Sequence, residues 1–235
     1  VPVPLSRLVL ATKCGGSDGF SGISANPALG WVSDRVAAAG GAVLLGEVPE
    51  IYGAEQVLAA RAASPTVASQ ILKVVHRYAE LAGRAGVRLE ENPSQGNIAD
   101  GLLTIQMKSL GAVRKAGTGP ITGVLEYAEW VPGSGVYVLD TPGYDVVSTA
   151  AYPASGATLI CFTTGLGTPW GNPIAPVIKI SSNTELAARM PDVIDFDAGG
   201  IIEGRETLAE CGARLLAKVL AVASGERTRS EENGH

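Results

Sequence analysis

Short, unbroken apolar runs alternate along this chain with stretches of helical periodicity, and that alternation constrains the fold more than any other feature. The runs are Leu8–Thr12, Ala42–Val48, Ile121–Leu125, Val136–Leu139, Thr158–Thr163, Val177–Ile180 and Val193–Phe196. Their continuity predicts strands covered on both faces. Helical patterns fill Pro27–Ala39, Ala54–Ala63, Thr66–Ala85, Ile98–Lys115 and Thr207–Ala223. Asn26-Pro27 and Ser64-Pro65 each offer an N-cap residue followed by proline at the first helical position. Strands interleaved with helices predict an α/β fold: a layered, mainly parallel sheet flanked by helices. Aromatic residues are only 5% of a chain that is 46% hydrophobic, so the core is built from Ala, Val, Leu and Ile. The loop-like stretch Glu90–Asn97 interrupts the pattern without separating independent domains, and residues 1–235 read as one domain.

The charge balance excludes some functions. A net charge of -5 with no basic run or stripe argues against nucleic acid as a partner. No apolar stretch approaches a membrane span, which argues against a membrane partner. Cys14, Cys161 and Cys211 cannot all pair within the chain, and their spacing is not that of a zinc site. A reducing compartment, the cytoplasm, is therefore expected. The extended start Val1-Pro2-Val3-Pro4 and the polar tail Ser224–His235 both read as cut ends.

Three loops that follow apolar runs carry the polar chemistry. The first, Lys13-Cys14-Gly15-Gly16-Ser17-Asp18-Gly19-Phe20-Ser21-Gly22, gathers an ammonium, a thiol, a carboxylate and two hydroxyls. Its glycines let the backbone approach a ligand. Lys13 beside Cys14 favours thiolate, so Cys14 is expected to be the most reactive thiol and Cys161 and Cys211 to be buried and inert. The second loop, Gly46–Glu55, places Glu47, Glu50 and Glu55 where a strand gives way to a helix. Grouped carboxylates suit acid–base work or a divalent metal, whereas Glu55 by itself reads as a helix cap. The third, Thr163–Pro173, misses the dinucleotide spacing, but its hydroxyls and backbone N–H groups suit a carboxylate or a sugar hydroxyl. Other chemistries fail: His76 lies mid-helix without a partner histidine, His235 is terminal, and no nucleophile elbow surrounds Ser21. Lys108, on a helix, reads by default as part of a solvated face.

Taken in order, Thr12–Ser21, Ala25-Asn26-Pro27, Gly46-Glu47-Val48-Pro49-Glu50, Glu91–Asn97, Lys108-Ser109-Leu110-Gly111, Thr141-Pro142-Gly143-Tyr144-Asp145, Phe162–Gly167, Val177–Ser182 and Ile194-Asp195-Phe196 resemble the C-terminal catalytic region of the altronate/galactarate dehydratase family. The resemblance covers essentially the whole chain. Thr141–Asp145 and Gly165–Pro169 look like the altronate branch, and Leu166 lacks the guanidinium that would hold the second carboxylate of an aldarate. Met107 departs from the acidic residue the family often carries before the lysine.

The resemblance implies a cytoplasmic hydro-lyase that takes water from a small sugar acid, D-altronate, to give 2-dehydro-3-deoxy-D-gluconate. It implies ferrous iron, or another divalent ion such as manganese, as cofactor. As partner it implies an N-terminal domain of the same enzyme, and it allows a homo-oligomer. Loss of water from a 2,3-dihydroxy acid needs a base at C2, an acid at the C3 hydroxyl and positive charge on the enediolate. On that reading Asp18, Glu47 and Lys108 are the expected catalytic residues. Lys13, Ser17, Ser21, Asn97, Thr164, Gly165 and Gly167 are expected to bind substrate, and Cys14 and Glu50 to ligate metal. Two alternatives stand beside it: the large subunit of a sulfolactate sulfo-lyase, and a non-catalytic fragment that binds a sugar acid.

Overall fold

The computed structural model describes residues 2–234. Val1 and His235 lie outside the described residues, and with them the readings made of those two positions. Seven strands run in the chain order β1 (Val9–Cys14), β2 (Ala42–Leu45), β3 (Ile121–Leu125), β4 (Gly135–Leu139), β5 (Leu159–Thr164), β6 (Val177–Ser181) and β7 (Phe196–Asp197). They form one sheet in the spatial order β3-β4-β2-β1-β5-β6-β7, and every pairing is parallel. The helices are α1 (Ala25–Ala38), α2 (Glu55–Ala59), α3 (Pro65–Arg84), α4 (Gln95–Ala99), α5 (Ile105–Ala112), α6 (Asp145–Ala154), α7 (Thr184–Arg189), α8 (Leu208–Ala223) and α9 (Arg229–Glu232). This is the layered α/β architecture the alternation predicts.

Side-chain alternation within each strand divides the core in two. Leu10, Val43, Leu45, Val136, Val138, Cys161, Ile178 and Ile180 pack with the buried residues of α1, α3 and α8. Ala11, Leu44, Tyr137, Leu139, Ile160, Phe162 and Val177 face the other way, toward Ala151 and Tyr152 of α6. Each fully buried Val or Leu contributes roughly 1.5–3 kcal/mol. Covering both faces explains why the strands read as continuous apolar runs.

Some boundaries differ, each for a local reason. The first strand continues through Lys13 and Cys14, because both pair in register with Phe162 and Thr163 of β5. The second stops at Leu45, since Glu47 turns the chain through the left-handed region at φ 62 and ψ 53. The run expected as a strand over Val193–Phe196 pairs only at Phe196 and Asp197. The long pattern Ile98–Lys115 is broken by Gly101 at φ +94, and α5 restarts with the Thr104 hydroxyl accepting from Met107 N. Ser64 caps α3 as expected, its side chain accepting from Val67 N. Asn26 does not cap α1, which begins one residue before it. Its amide instead ties the helix to Gly111 and to Thr163 of β5. Helix α6 escapes the periodicity reading because its first turns are rich in poor helix formers and Pro153 sits in its last turn.

The order β2-β1-β5 puts the carboxyl ends of three parallel strands side by side, so the loops beginning at Cys14, Glu47 and Thr164 meet at one edge. Ligands of open α/β sheets bind at that edge, where the strand order reverses. Here the chain builds outward from β1 through β2, then crosses back to β5.

Candidate active site

Two charged assemblies occupy this edge, one sealed and one open. The sealed one centres on Glu47, whose side chain is 1% exposed. The Glu47 N–H donates to Thr141 Oγ1 at 2.7 Å, and Val48 N donates to Thr141 O at 2.9 Å. Those two bonds hold Glu47 in its left-handed conformation, which a non-glycine residue adopts only when its surroundings impose it. One carboxylate oxygen pairs with Lys13. The other accepts from Lys115 Nζ at 2.6 Å and from Cys14 N at 2.9 Å. Lys13 also reaches Asp145 Oδ1 at 2.8 Å, Cys14 O at 2.8 Å and Gly143 O at 3.1 Å. Burial opposes ionisation of Glu47, but Lys115 and Lys13 outweigh it and lower the carboxyl to about 2. Burial likewise opposes the charge on Lys13, yet Glu47, Cys14 and Asp145 raise its ammonium above the ordinary lysine value.

The open assembly lies one turn further along the same loop. Glu50 Oε1 accepts from Asn92 Nδ2 at 3.2 Å, and Glu50 Oε2 is 3.0 Å from Lys108 Nζ. That approach is an ion pair without hydrogen-bond alignment, and Glu50 Oε2 is buried with no hydrogen-bond partner among the described residues. Lys108 Nζ donates to Asn92 Oδ1 at 3.0 Å and to Asn97 Oδ1 at 3.4 Å. Asn97 in turn donates to Ser17 O at 2.7 Å, which fastens α4 to the first loop. Glu50, Lys108, Asn92, Asn97, Ser17, Asp145 and Cys14 together line a polar cavity of about 270 Å³. A second cavity of about 240 Å³, lined more by Leu102, Met107 and Leu110, also touches Cys14, Ser17 and Lys108.

The expected site residues fall into distinct surroundings. Glu47 does not face a ligand, since both its oxygens are held by ammonium groups. Lys13 is fully buried in that cluster. Asp18 Oδ1 accepts from Ser21 N, Ser21 Oγ and Ser182 Oγ at 2.7–2.8 Å, and Oδ2 from Ser182 Oγ and Asn183 Nδ2 at 2.9–3.0 Å. With its acceptor positions filled, Asp18 anchors the first loop to the end of β6 and lines a different cavity from Glu50. Ser21 is consumed by the same tie. The free N–H groups expected of the third loop are not free. Gly165 N and Leu166 N both donate to Gly16 O at 2.8–2.9 Å, and Gly167 N donates to Thr164 Oγ1 at 2.9 Å. Gly165 is required by contact, because a Cβ there would lie 2.2 Å from Asp18 Cγ. Thr164, Gly165 and Gly167 therefore hold two loops together rather than a ligand. Ser17, Asn97 and Lys108 line the polar cavity.

Cys14 is not a loop thiol: it ends β1, is buried, and accepts from Lys115 Nζ at 2.9 Å. Burial and Glu47 push its thiol up, while Lys115 and Lys13 pull it down, with a net rise. It therefore does not carry the lowered affinity for its proton that its neighbour Lys13 suggested. Cys161 and Cys211 are buried as expected, the latter pushed up to about 12 chiefly by desolvation.

The expected metal ligands do not fit a divalent ion by themselves. Among the described residues no group of three or more His, Cys, Asp or Glu side chains converges. Cys14 already faces Lys115, Glu47 faces Lys13 and Lys115, and Glu50 faces Lys108. A cation placed among these donors meets an ammonium at each of them, a repulsion that the hard-oxygen sites of divalent ions avoid.

Sequence reasoning missed Lys115 altogether and quoted Asp145 without a role. Lys115 closes a short 3-10 turn, Val113–Ala116, packed on α1. Its only signal is a basic pair, Arg114-Lys115, set between Val113 and Ala116.

Comparison with known proteins shows the family. Residues 5–235 match the family model described as D-galactarate/altronate dehydratase, C-terminal. The chain is 42% identical to altronate dehydratase from Bacillus subtilis over 231 residues, covering 98% of this chain and 46% of that protein. It is 40% identical to altronate dehydratase from Escherichia coli, covering 99% of this chain and 46% of the relative. It is 39% identical to galactarate dehydratase (L-threo-forming) from E. coli, covering 95% and 43%. The chain thus spans a little under half the length of these curated relatives. Among the described residues no helix is long and apolar enough to cross a membrane. With a family model matched from residue 5 to residue 235, this chain belongs to the D-galactarate/altronate dehydratase family and corresponds to its C-terminal region.

Proposed function

We propose that this chain carries the acid–base machinery of a hydro-lyase that removes water from a 2,3-dihydroxy sugar acid, with D-altronate as substrate and 2-dehydro-3-deoxy-D-gluconate as product. The observation that carries the reading is Glu50 Oε2, a buried carboxylate oxygen without a hydrogen-bond partner, beside Lys108 in a polar cavity at the carboxyl edge of the sheet. An oxygen in that state is poised to take a proton. In this reading Glu50 removes the C2 proton, and the Lys108 ammonium attracts the charge that develops on the substrate carboxylate and C2 oxygen. Asn92 and Asn97 hold Lys108 in place, and Asn97 fixes the backbone of Ser17 at the cavity wall.

A mono-acid is favoured over an aldarate. Among the residues that line the 270 Å³ cavity Lys108 is the only cation, so a second carboxylate finds no partner of its own there. The ferrous or manganous ion implied by the resemblance needs donors from outside this chain. Three free cysteines support a reducing compartment, the cytoplasm, as its location.

The test is 2-keto acid formation by the complete enzyme, supplied with ferrous ion, on D-altronate and on galactarate. Turnover of D-altronate that Glu50→Gln abolishes is the expected result. A Glu50→Gln enzyme with wild-type turnover, or a wild-type enzyme that acts on neither acid, removes this reading.

A further inference from the structure

The base just described takes a proton from C2 but leaves the departing C3 hydroxyl without a proton donor. We infer that Cys14 is that donor and that Lys115 is the positioning residue that orients it and stabilises its thiolate. This assignment rests on the proposed dehydration. Among the described residues Cys14 alone belongs at once to the sealed cluster and to both open cavities: its backbone N–H and thiol touch Glu47 and Lys115, and the residue lines the 270 Å³ and the 240 Å³ spaces. Ser17 and Lys108 line both cavities as well, but neither touches the cluster.

The geometry of Lys115 supports a positioning role. A lysine has three N–H groups, and one of these donates to Glu47 Oε2 at 2.6 Å and another to Cys14 Sγ at 2.9 Å. The ion pair fixes the ammonium, so its second proton points at sulfur. The balance closes as follows. Glu50 accepts the C2 proton, the C3–O bond breaks with its electron pair going to oxygen, and the thiol proton passes to that oxygen to release water. The proton on Glu50 then returns through the water of the cavity to the thiolate, whose charge the Lys115 ammonium at 2.9 Å stabilises in the meantime. The enol left behind becomes the 2-keto acid by moving a proton from oxygen to C3. No oxidant or reductant takes part.

The groups that face the thiol are Lys115, Lys13, Glu47 and Glu50. The thiol lies 3.8 Å from Glu47 Oε1 and 2.9 Å from Lys115 Nζ, and those two contacts fix its orientation.

A leaving group that needs no proton separates this role from the rest. The probe is the 3-deoxy-3-fluoro analogue of the sugar acid, which loses fluoride to give the same 2-keto product. In the complete enzyme, Cys14→Ala is expected to lose water elimination by about 100-fold or more while keeping fluoride release within about tenfold of wild type. Equal loss of both reactions, or retention of both, overturns the assignment. Glu50→Gln is expected to lose both; if it keeps fluoride release, the base reading fails while the Cys14 comparison still stands. A wild-type enzyme that releases neither leaving group overturns both readings. For Lys115, the readout is alkylation of Cys14 by iodoacetamide, followed by peptide mass. Lys115→Met should move the pH midpoint of alkylation upward and Lys115→Arg should restore it in part; an unmoved midpoint in a folded Lys115→Met protein removes the positioning role.

Discussion

Glu47 and Glu50 lie three residues apart on one loop, and each faces lysine, yet they are built for opposite purposes. Glu47 is sealed, holds two ammonium groups, and is ionised down to about pH 2. Glu50 has one lysine partner, a rim position and a buried oxygen without a hydrogen bond. A carboxylate whose proton affinity is lowered that far accepts a proton poorly, and one shut away from every cavity cannot meet a substrate. The contrast shows that charge density does not mark the working group. The working group is the one whose partners are incomplete.

The largest effect separates the two on activity. Glu50→Gln in the complete enzyme should lower kcat by about 10²–10⁴-fold, the usual worth of a positioned general base. Circular dichroism should be unchanged, because Glu50 touches only Asn92 and Lys108 at the cavity wall. An unfolded Glu50→Gln protein, or one with ordinary turnover, would erase the distinction drawn here.

Stability should show the reverse order. Glu47→Gln leaves Lys13 with only Asp145, and Lys115 with no carboxylate, inside the protein. Breaking a buried pair by removing one partner costs about 3–5 kcal/mol. Chemical denaturation should therefore place Glu47→Gln well below wild type and Glu50→Gln close to it. Equal midpoints for the two variants would show that the sealed cluster contributes nothing to the fold.

Acid sharpens the same contrast. The folded-state value of Glu47 lies near 2 against an ordinary 4.5, so the unfolded chain binds the proton first. The stability this group contributes is fully present above about pH 4.5 and is lost as pH falls through about 2. The amount at stake is roughly 3 kcal/mol by linkage. Denaturation midpoints of wild type and Glu47→Gln should converge over that interval, and curves that stay parallel from pH 5 to pH 2 would contradict the lowered value.

How far the sequence reveals this depends on which interaction is at issue. The sheet is legible because double burial writes itself as unbroken apolar runs, and the site's edge is legible because polar residues follow those runs. Partnering is not legible. Asp18, Glu47 and Glu50 look alike in sequence, each a carboxylate just after a strand. What distinguishes them is Ser182, Asn183, Lys115 and Lys108, residues from 58 to 165 positions away. Lys115 is the hardest to find, since its neighbours Arg114 and Lys108 carry the same charge and only the fold decides which one is swallowed. The third loop misleads for a related reason: glycines that suit a ligand equally suit a close approach to a second loop, and here Gly165 makes room for Asp18.

The smallest effect completes the series, because Glu55 is the third carboxylate of the loop and belongs to neither assembly. Its Oε2 accepts from Gly53 N at 2.6 Å, closing the turn before α2. Its other oxygen is 4.0 Å from His76 Nε2, and the His76 side chain is 61% exposed. Exposed ion pairs contribute little, about 0–1 kcal/mol, and glutamine keeps the oxygen that closes the turn. Glu55→Gln should therefore shift stability by no more than about 0.5 kcal/mol and leave kcat and KM unchanged. His76→Gln should behave alike. Thermal melts and initial rates of the two variants check this. A tenfold fall in kcat for either would mean that the catalytic boundary extends past Glu50 along the loop, and that incomplete partnering is not what selects the working carboxylate.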